Sequence, residues 1–248
     1  MGLLSGKVAL ITGTSSGIGS AIATRFVAEG AVVIAWSRRE TKLEGAIWQS
    51  VDVTDSSAVA EGVSAIVSEH GRLDAVVNNA GVQLEKSIAE TTDEDYDLVM
   101  DVNVRGVFNV ARAAVQAMAA ADGGSIVNIG STAAAHADHT MAVYNASKGA
   151  VHSLTRAIAI DHGADGIRCN AVAPGWVLTA MADAAFEAMD DPAAARADAT
   201  SRHPVGRMGR PEDVAGLAAW LASDDAGYAS GSVFSIDGGA MAQSPVSA

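Results

Sequence analysis

The chain has 248 residues, enough for one large α/β unit and short for two. Hydrophobic residues make up 49% and charged residues 18%, which leaves ample apolar surface for a core and excludes a disordered chain or a small stapled scaffold. A formal net charge of -13, from 29 acidic against 16 basic residues, repels phosphate backbones and anionic lipid, so neither nucleic acid nor membrane is expected as a partner.

Seven short apolar runs are predicted as strands: Val8–Ile11, Val32–Ile34, Ala46–Trp48, Ala75–Val77, Ser125–Ile129, Cys169–Val172 and Val233–Ile236. They do not alternate with polar residues, the pattern of strands buried on both faces, and most intervals between them suit crossover helices. The expected fold is therefore α/β: a single-domain, Rossmann-like, doubly wound parallel sheet of about seven strands flanked by helices, spanning residues 1–248.

Directly after the first run comes Thr12-Gly13-Thr14-Ser15-Ser16-Gly17-Ile18-Gly19, followed by a helical pattern from Ile18 to Ala28. Strand, glycine turn and helix in that order suit a pyrophosphate, because glycines let the chain approach it and free N–H groups at the helix start attract it. In a dinucleotide fold the tip of the second strand reads the adenosine ribose, and that tip is Trp36-Ser37-Arg38-Arg39. An acid there would repel a 2'-phosphate. Ser37 removes that repulsion and Arg38 offers a guanidinium to the phosphate, which favours NADP(H) and leaves NAD(H) open, the latter if Glu40 faces the ribose instead. The interval Arg38–Gly45 is too short for a full crossover helix and is expected to hold a turn or two.

Farther along, Tyr144-Asn145-Ala146-Ser147-Lys148 puts a phenol and an ammonium four residues apart, on one face of a helix that continues through Val151, Leu154 and Ile158. A neighbouring cation favours phenolate, so the spacing predicts a lowered tyrosine pKa and an acid/base role for Tyr144. His136 and His139 lie between Ser131 and Tyr144 without a third ligand, so no metal is expected; His139 is read as bordering the substrate. The single Cys169 can form neither an internal disulfide nor a thiolate cage, and a reducing cytoplasm is the expected compartment. Trp176, after Pro174-Gly175, is read as shaping the substrate pocket. The segment 180–204, broken by Asp190-Asp191-Pro192, is expected to fold as two helical pieces covering the site, with Met181, Phe186 and Met189 as an apolar lid or as packing. Pro211-Glu212-Asp213 opens a last helix whose Val214, Leu217, Ala218 and Leu221 share a face.

With Ser131 thirteen residues before Tyr144 and the glycine turn at the start, the sequence resembles the short-chain dehydrogenase/reductase family from Lys7 to Gly239. The resemblance also includes Asp52-Val53, Asn78-Asn79-Ala80-Gly81, Asn103 in Val102-Asn103-Val104, Pro174-Gly175 with Thr179 beyond, and Asp237-Gly238-Gly239. It implies that Tyr144 is the general acid/base, that Lys148 lowers its pKa and holds the nicotinamide ribose, that Ser131 binds the reacting oxygen, and that Asn103 holds a water in a proton relay. It further implies that Gly13, Ser15, Ser16, Gly17, Ile18 and Gly19 form the cofactor's phosphate turn, with Asp52, Val53, Asn79, Ala80 and Gly81 on the adenosine side. Pro174, Gly175, Val177 and Thr179 flank the nicotinamide, and a homotetramer is implied.

The expected reaction interconverts a small secondary alcohol and a ketone. One alternative is a reductase of carrier-bound 3-oxoacyl groups; the turns before the fifth and sixth strands, Ala120-Ala121-Asp122-Gly123-Gly124 and Ala164-Asp165-Gly166, are not basic, which favours a free small molecule. The alternative of another class is a cofactor-binding regulator without catalysis, which retention of all four residues disfavours.

Overall fold

A computed structural model describes residues 2–243. Seven parallel strands form one sheet in the order β3-β2-β1-β4-β5-β6-β7: β1 (Val8–Thr12), β2 (Val32–Trp36), β3 (Ala46–Gln49), β4 (Ala75–Asn78), β5 (Gly124–Ile129), β6 (Ile167–Pro174) and β7 (Val233–Ile236). Neighbouring residues of the inner strands enter opposite cores, as the two-residue period demands. Ala9, Ile11, Val33, Val77, Val127 and Val172 meet α1 (Gly17–Ala28) and α8 (Pro211–Ala222) on one face. Leu10, Ile34, Val76, Ile126 and Cys169 meet α2 (Ser56–His70), α4 (Gly106–Ala119) and α5 (Ala142–His162) on the other. Apolar residues on both faces explain why the strands read as unbroken runs.

The connection from β2 to β3 contains no helical turn, contrary to the expectation for 38–45. Nine residues must return the length of a four-residue strand, about 13 Å, and a helix advancing about 1.5 Å per residue would use all of them on the return and leave none for the turns at its two ends. Residues 37–45 stay extended or turned, and Gly45, at φ +78°, starts the return into β3.

Helix α3 (Asp93–Met100) runs through a π-helical turn, Asp101–Arg105, into α4. The segment after β6 folds as α6 (Ala180–Glu187) and α7 (Pro192–Ser201), parted at Asp190-Asp191 as expected, with Asp191 capping α7 through the Ala194 N–H. Strand order reverses between β1 and β4, and a crevice opens there beyond the C-terminal ends of the strands. No helix among the described residues is long and apolar enough to cross a membrane.

Candidate active site

A cleft of about 720 Å³ runs along the C-terminal ends of the strands, from the second-strand tip past the glycine turn to the start of α5. Its walls bring together Gly13, Ser15, Ser16, Gly17, Ile18, Ser37, Arg38, Asp52, Val53, Asn79, Ala80 and Gly81 at one end. Ser131, Tyr144, Lys148, Pro174, Gly175, Trp176, Val177 and Thr179 stand at the other. Three predicted residues lie outside the wall: Gly19, Asn103 and His139.

At the first end the chain is shaped for an anion. Gly13 (φ +69°) and Gly17 (φ +58°) occupy left-handed conformations, and a Cβ on Gly13 would sit 2.7 Å from the Ala80 Cα. Ser16, the N-cap of α1, makes no side-chain capping bond, and the first turn of that helix holds no acid. Its leading N–H groups and positive dipole end therefore face the cleft uncancelled, a cradle that fits the pyrophosphate of a dinucleotide. Gly19 serves this turn from behind, since a Cβ there would meet the Gly13 carbonyl and the Asn79 amide, each at 2.3 Å. Thr12, which sequence reasoning did not single out, ties the turn to β4: its Oγ1 accepts from the Asn79 and Ala80 N–H groups, both at 3.0 Å. Asn79 completes the tie by donating through Nδ2 to the Thr12 and Gly13 carbonyls.

At the second-strand tip the Ser37 hydroxyl donates to the Arg39 carbonyl at 2.7 Å and accepts from Trp48 Nε1 at 3.0 Å. Its proton is committed, so Ser37 contributes the absence of an acid rather than a contact. Arg38 is 70% exposed at the side chain and reaches to 4.0 Å from Asp52. Asp52 accepts from the Thr54 N–H and hydroxyl, and these bonds, led by the backbone one, hold its carboxyl below the usual range against the effect of burial.

At the other end α5 carries Tyr144 and Lys148 one turn apart, with Lys148 Nζ 5.7 Å from the Tyr144 ring centre. Ser131 follows β5, and its Oγ accepts from the Ala133 N–H while lying close enough to the phenol to favour its charged form. Lys148 donates to the Ile129 carbonyl at 2.8 Å. The charges here run against the sequence-based expectation. Burial pushes the Tyr144 phenol up to about 12, partly offset by Ser131, and the negative charges of Asp138 and Glu85 add to the rise. Burial alone brings the Lys148 ammonium down to about 8. In this chain desolvation by the surrounding protein outweighs the attraction between ammonium and phenolate, although Tyr144 stays partly exposed to the cleft.

Asn103 is fully buried and does not face the cleft. Its Oδ1 accepts from the Val82 N–H at 2.8 Å, and its Nδ2 donates to the Val82 carbonyl at 2.8 Å and the Ser147 hydroxyl at 3.0 Å. Both amide protons are used, so the side chain locks the exit of β4 to α5, and its neighbour Val102 lines the wall instead. His139 is exposed and does not line the cleft, whereas Asp138 and Met141 on the same loop do. A spacing argument could not separate these three, because the loop has no repeating geometry. Of the covering residues, Met181 lines the cleft, Phe186 is buried with its ring 4.8 Å from that of Trp176, and Met189 is exposed. Gln83 also lines the wall and was not foreseen. The turns before β5 and β6 lie at the opposite, N-terminal edge of the sheet around a separate depression, so their composition says nothing about what enters this cleft. Among the described residues no group of three His, Cys, Asp or Glu side chains could hold a metal.

Comparison with known proteins agrees with this geometry. Residues 13–241 match the family model described as Enoyl-(Acyl carrier protein) reductase. The chain is 39% identical to the 3-oxoacyl-[acyl-carrier-protein] reductase FabG of Thermotoga maritima, over 95% of this chain and 98% of that protein. It is 37% identical to the meso-2,3-butanediol dehydrogenase of Serratia marcescens, over 95% of each. Among solved structures, the aldohexose dehydrogenase of Thermoplasma acidophilum superposes with a TM-score of 0.94 at 34% identity, covering 99% of this chain and 98% of that one.

Proposed function

Since the chain belongs to the short-chain dehydrogenase/reductase family of oxidoreductases, we propose that it interconverts a secondary alcohol and a ketone on a free small molecule with NADP(H) as its cofactor. The observation that carries this reading is the convergence of Ser131, Tyr144 and Lys148 on one wall of the cleft that also holds the uncapped start of α1. The glycine turn would bind the pyrophosphate, Arg38 the 2'-phosphate, Asp52 and Val53 the adenine, and Pro174 to Thr179 the nicotinamide. Bound there, the nicotinamide supplies or accepts a hydride. As a ketone carbon gains that hydride, its oxygen gains negative charge. Ser131 donates a hydrogen bond to the oxygen and Tyr144 delivers the proton, so both groups bind the transition state better than the ketone. The raised pKa keeps Tyr144 protonated at neutral pH, the state that reduction requires. Asn103 acts as a positioning residue that holds α5 against the β4 exit.

A free substrate is supported by the covering segment, where Arg196 pairs with Asp183 at 2.7 Å and Arg202 with Asp198 at 2.7 Å, and by the turn after it, where Arg207 pairs with Asp213 of α8 at 2.7 Å. Cations spent on local carboxylates make a poor rim for an acidic carrier protein. The relative in Thermotoga maritima supports the carrier-bound reading instead, so acetoacetyl thioesters belong in the test. Apolar side chains on outer helical faces, Phe108 of α4 and Ile160 of α5, support a homotetramer. The reading is tested by rates over a panel of alcohols, ketones and acetoacetyl thioesters with both cofactors. Turnover of a free alcohol or ketone faster with NADP(H) supports it; activity confined to thioesters, or none at all, overturns it.

A further inference from the structure

On the oxidoreductase reading the reacting oxygen lies beside Ser131 and Tyr144, so the charges near those groups act on whatever else the substrate carries. Around them the wall is formed by Gln83, Asp138, Met141, Trp176 and Met181. Asp138 is the carboxylate of this group, its side chain 36% exposed, and burial raises its carboxyl while Arg202 draws it down. Arg202 stands 3.7 Å from Asp138 but 2.7 Å from Asp198, so one guanidinium is shared between two acids and the cluster keeps a net negative charge. A second carboxylate stands behind the wall: Glu85 accepts from Gln83 Nε2 at 2.5 Å. That bond orients the Gln83 amide, engages one of its amino protons and leaves its carbonyl to accept. The negative charges of Asp138 and Glu85 both raise the Tyr144 phenol. The nearby cations are Lys148, buried against Ile129, and Arg202, already shared.

We propose that Asp138, together with Gln83 held by Glu85, selects neutral substrates that carry a hydroxyl beside the reacting carbonyl or carbinol and rejects those that carry a carboxylate or phosphate there. This rests on the oxidoreductase reading and deepens it to a substrate class, hydroxy-ketones and polyols. A hydroxyl can donate to a wall that offers acceptors, whereas an anion of similar size meets the like charge of Asp138. The apolar parts of Met141, Met181 and Trp176 fit the carbon skeleton.

Acetoin and acetoacetate make the test, since both are four-carbon ketones and differ in a hydroxyl against a carboxylate. The full chain should reduce acetoin with a kcat/KM about tenfold or more above that for acetoacetate, and D138N should narrow the ratio about fivefold, chiefly by raising acetoacetate. D138K should narrow it further. If neither ketone reacts, 2,3-butanediol and 3-hydroxybutyrate, the corresponding alcohols, supply the same comparison in oxidation. A wild-type ratio near one, or a ratio that D138N leaves unchanged, overturns the proposal while the oxidoreductase reading stands. An independent readout is the tyrosinate absorbance of Tyr144, identified by its loss in Y144F: D138N should lower the pH at which it appears. If no alcohol or ketone is turned over with either cofactor, the oxidoreductase reading is what fails, and the tyrosinate titration still decides whether Asp138 charges this wall; an unshifted titration overturns that.

Discussion

At the α1 end of the cleft the groups offered to a ligand are main-chain N–H groups held by glycines at positive φ, with Thr12 and Asn79 bracing them by hydrogen bonds. At the α5 end they are ionisable side chains, Tyr144 and Lys148, each pushed away from its charged form by burial. The first end is a fixed dipole that needs no ionisation and is relaxed by its own packing. The second stores free energy against charge, which chemistry can use. The contrast predicts that changes at the α1 end are felt through shape and those at the α5 end through charge.

The largest effect belongs to the phenol. Y144F removes a proton donor and little volume, so kcat should fall about 10³-fold while cofactor affinity changes by less than about threefold. Stopped-flow or single-turnover rates with a titrated cofactor check this, and a loss confined to binding would break the distinction between the two ends. Next comes G19A, where an added methyl would lie 2.3 Å from the Gly13 carbonyl and the Asn79 amide. No rotamer relieves a backbone collision, so the turn must open; stability should drop by about 3 kcal/mol and affinity for either dinucleotide should fall with it. Denaturant unfolding with and without NADP+ measures both.

The K148M variant tests whether the α5 end stores energy in charge. A native ammonium held at about 8 against the ordinary 10.5 releases its proton more readily than the unfolded one, so the charge opposes folding at every pH below 8. That opposition fades as pH rises from 8 to 10.5. Replacing the lysine by a neutral side chain of similar length, and losing the bond to Ile129, should stabilise the chain at pH 7 by about 2 kcal/mol, roughly 4–8 °C in Tm, while activity collapses. The gain should vanish above about pH 10.5, where the unfolded lysine is also neutral. A lower Tm at pH 7 would show that the ammonium is stabilised by its surroundings.

The same contrast explains what could be read in advance. Parallel strands buried on both faces announce themselves as apolar runs, and a glycine turn between strand and helix carries its geometry in residue type, so the sheet and the α1 end were legible. Tyr144 and Lys148 were legible as a pair because four residues make one helical turn. Their pKa shifts were not, since desolvation depends on what the covering segment and Ile129 place around them. Asn103 was legible as a residue, but its side-chain partners, Val82 and Ser147, were not, since they are 21 and 44 residues away. That Asp138 rather than His139 lines the cleft could not be read, for lack of any period in the loop between Thr132–Ala134 and α5.

The smallest effect lies at the far tip of the α1 end, where the shape argument meets a single charge. Arg38 is largely exposed, so its pairing with a phosphate is screened and competes with Asp52, 4.0 Å away. Ser37 cannot substitute, because its proton is held by Arg39 and its oxygen by Trp48. R38Q should therefore weaken NADP+ by only about tenfold, leave NAD+ within about twofold, and shrink the salt dependence of NADP+ binding, since one charge contact is lost. Quenching of Trp fluorescence at low and high salt resolves the two nucleotides. If NAD+ weakens as much as NADP+, Arg38 acts by shaping the β2–β3 connection, and this tip joins the rest of the α1 end as a matter of backbone geometry.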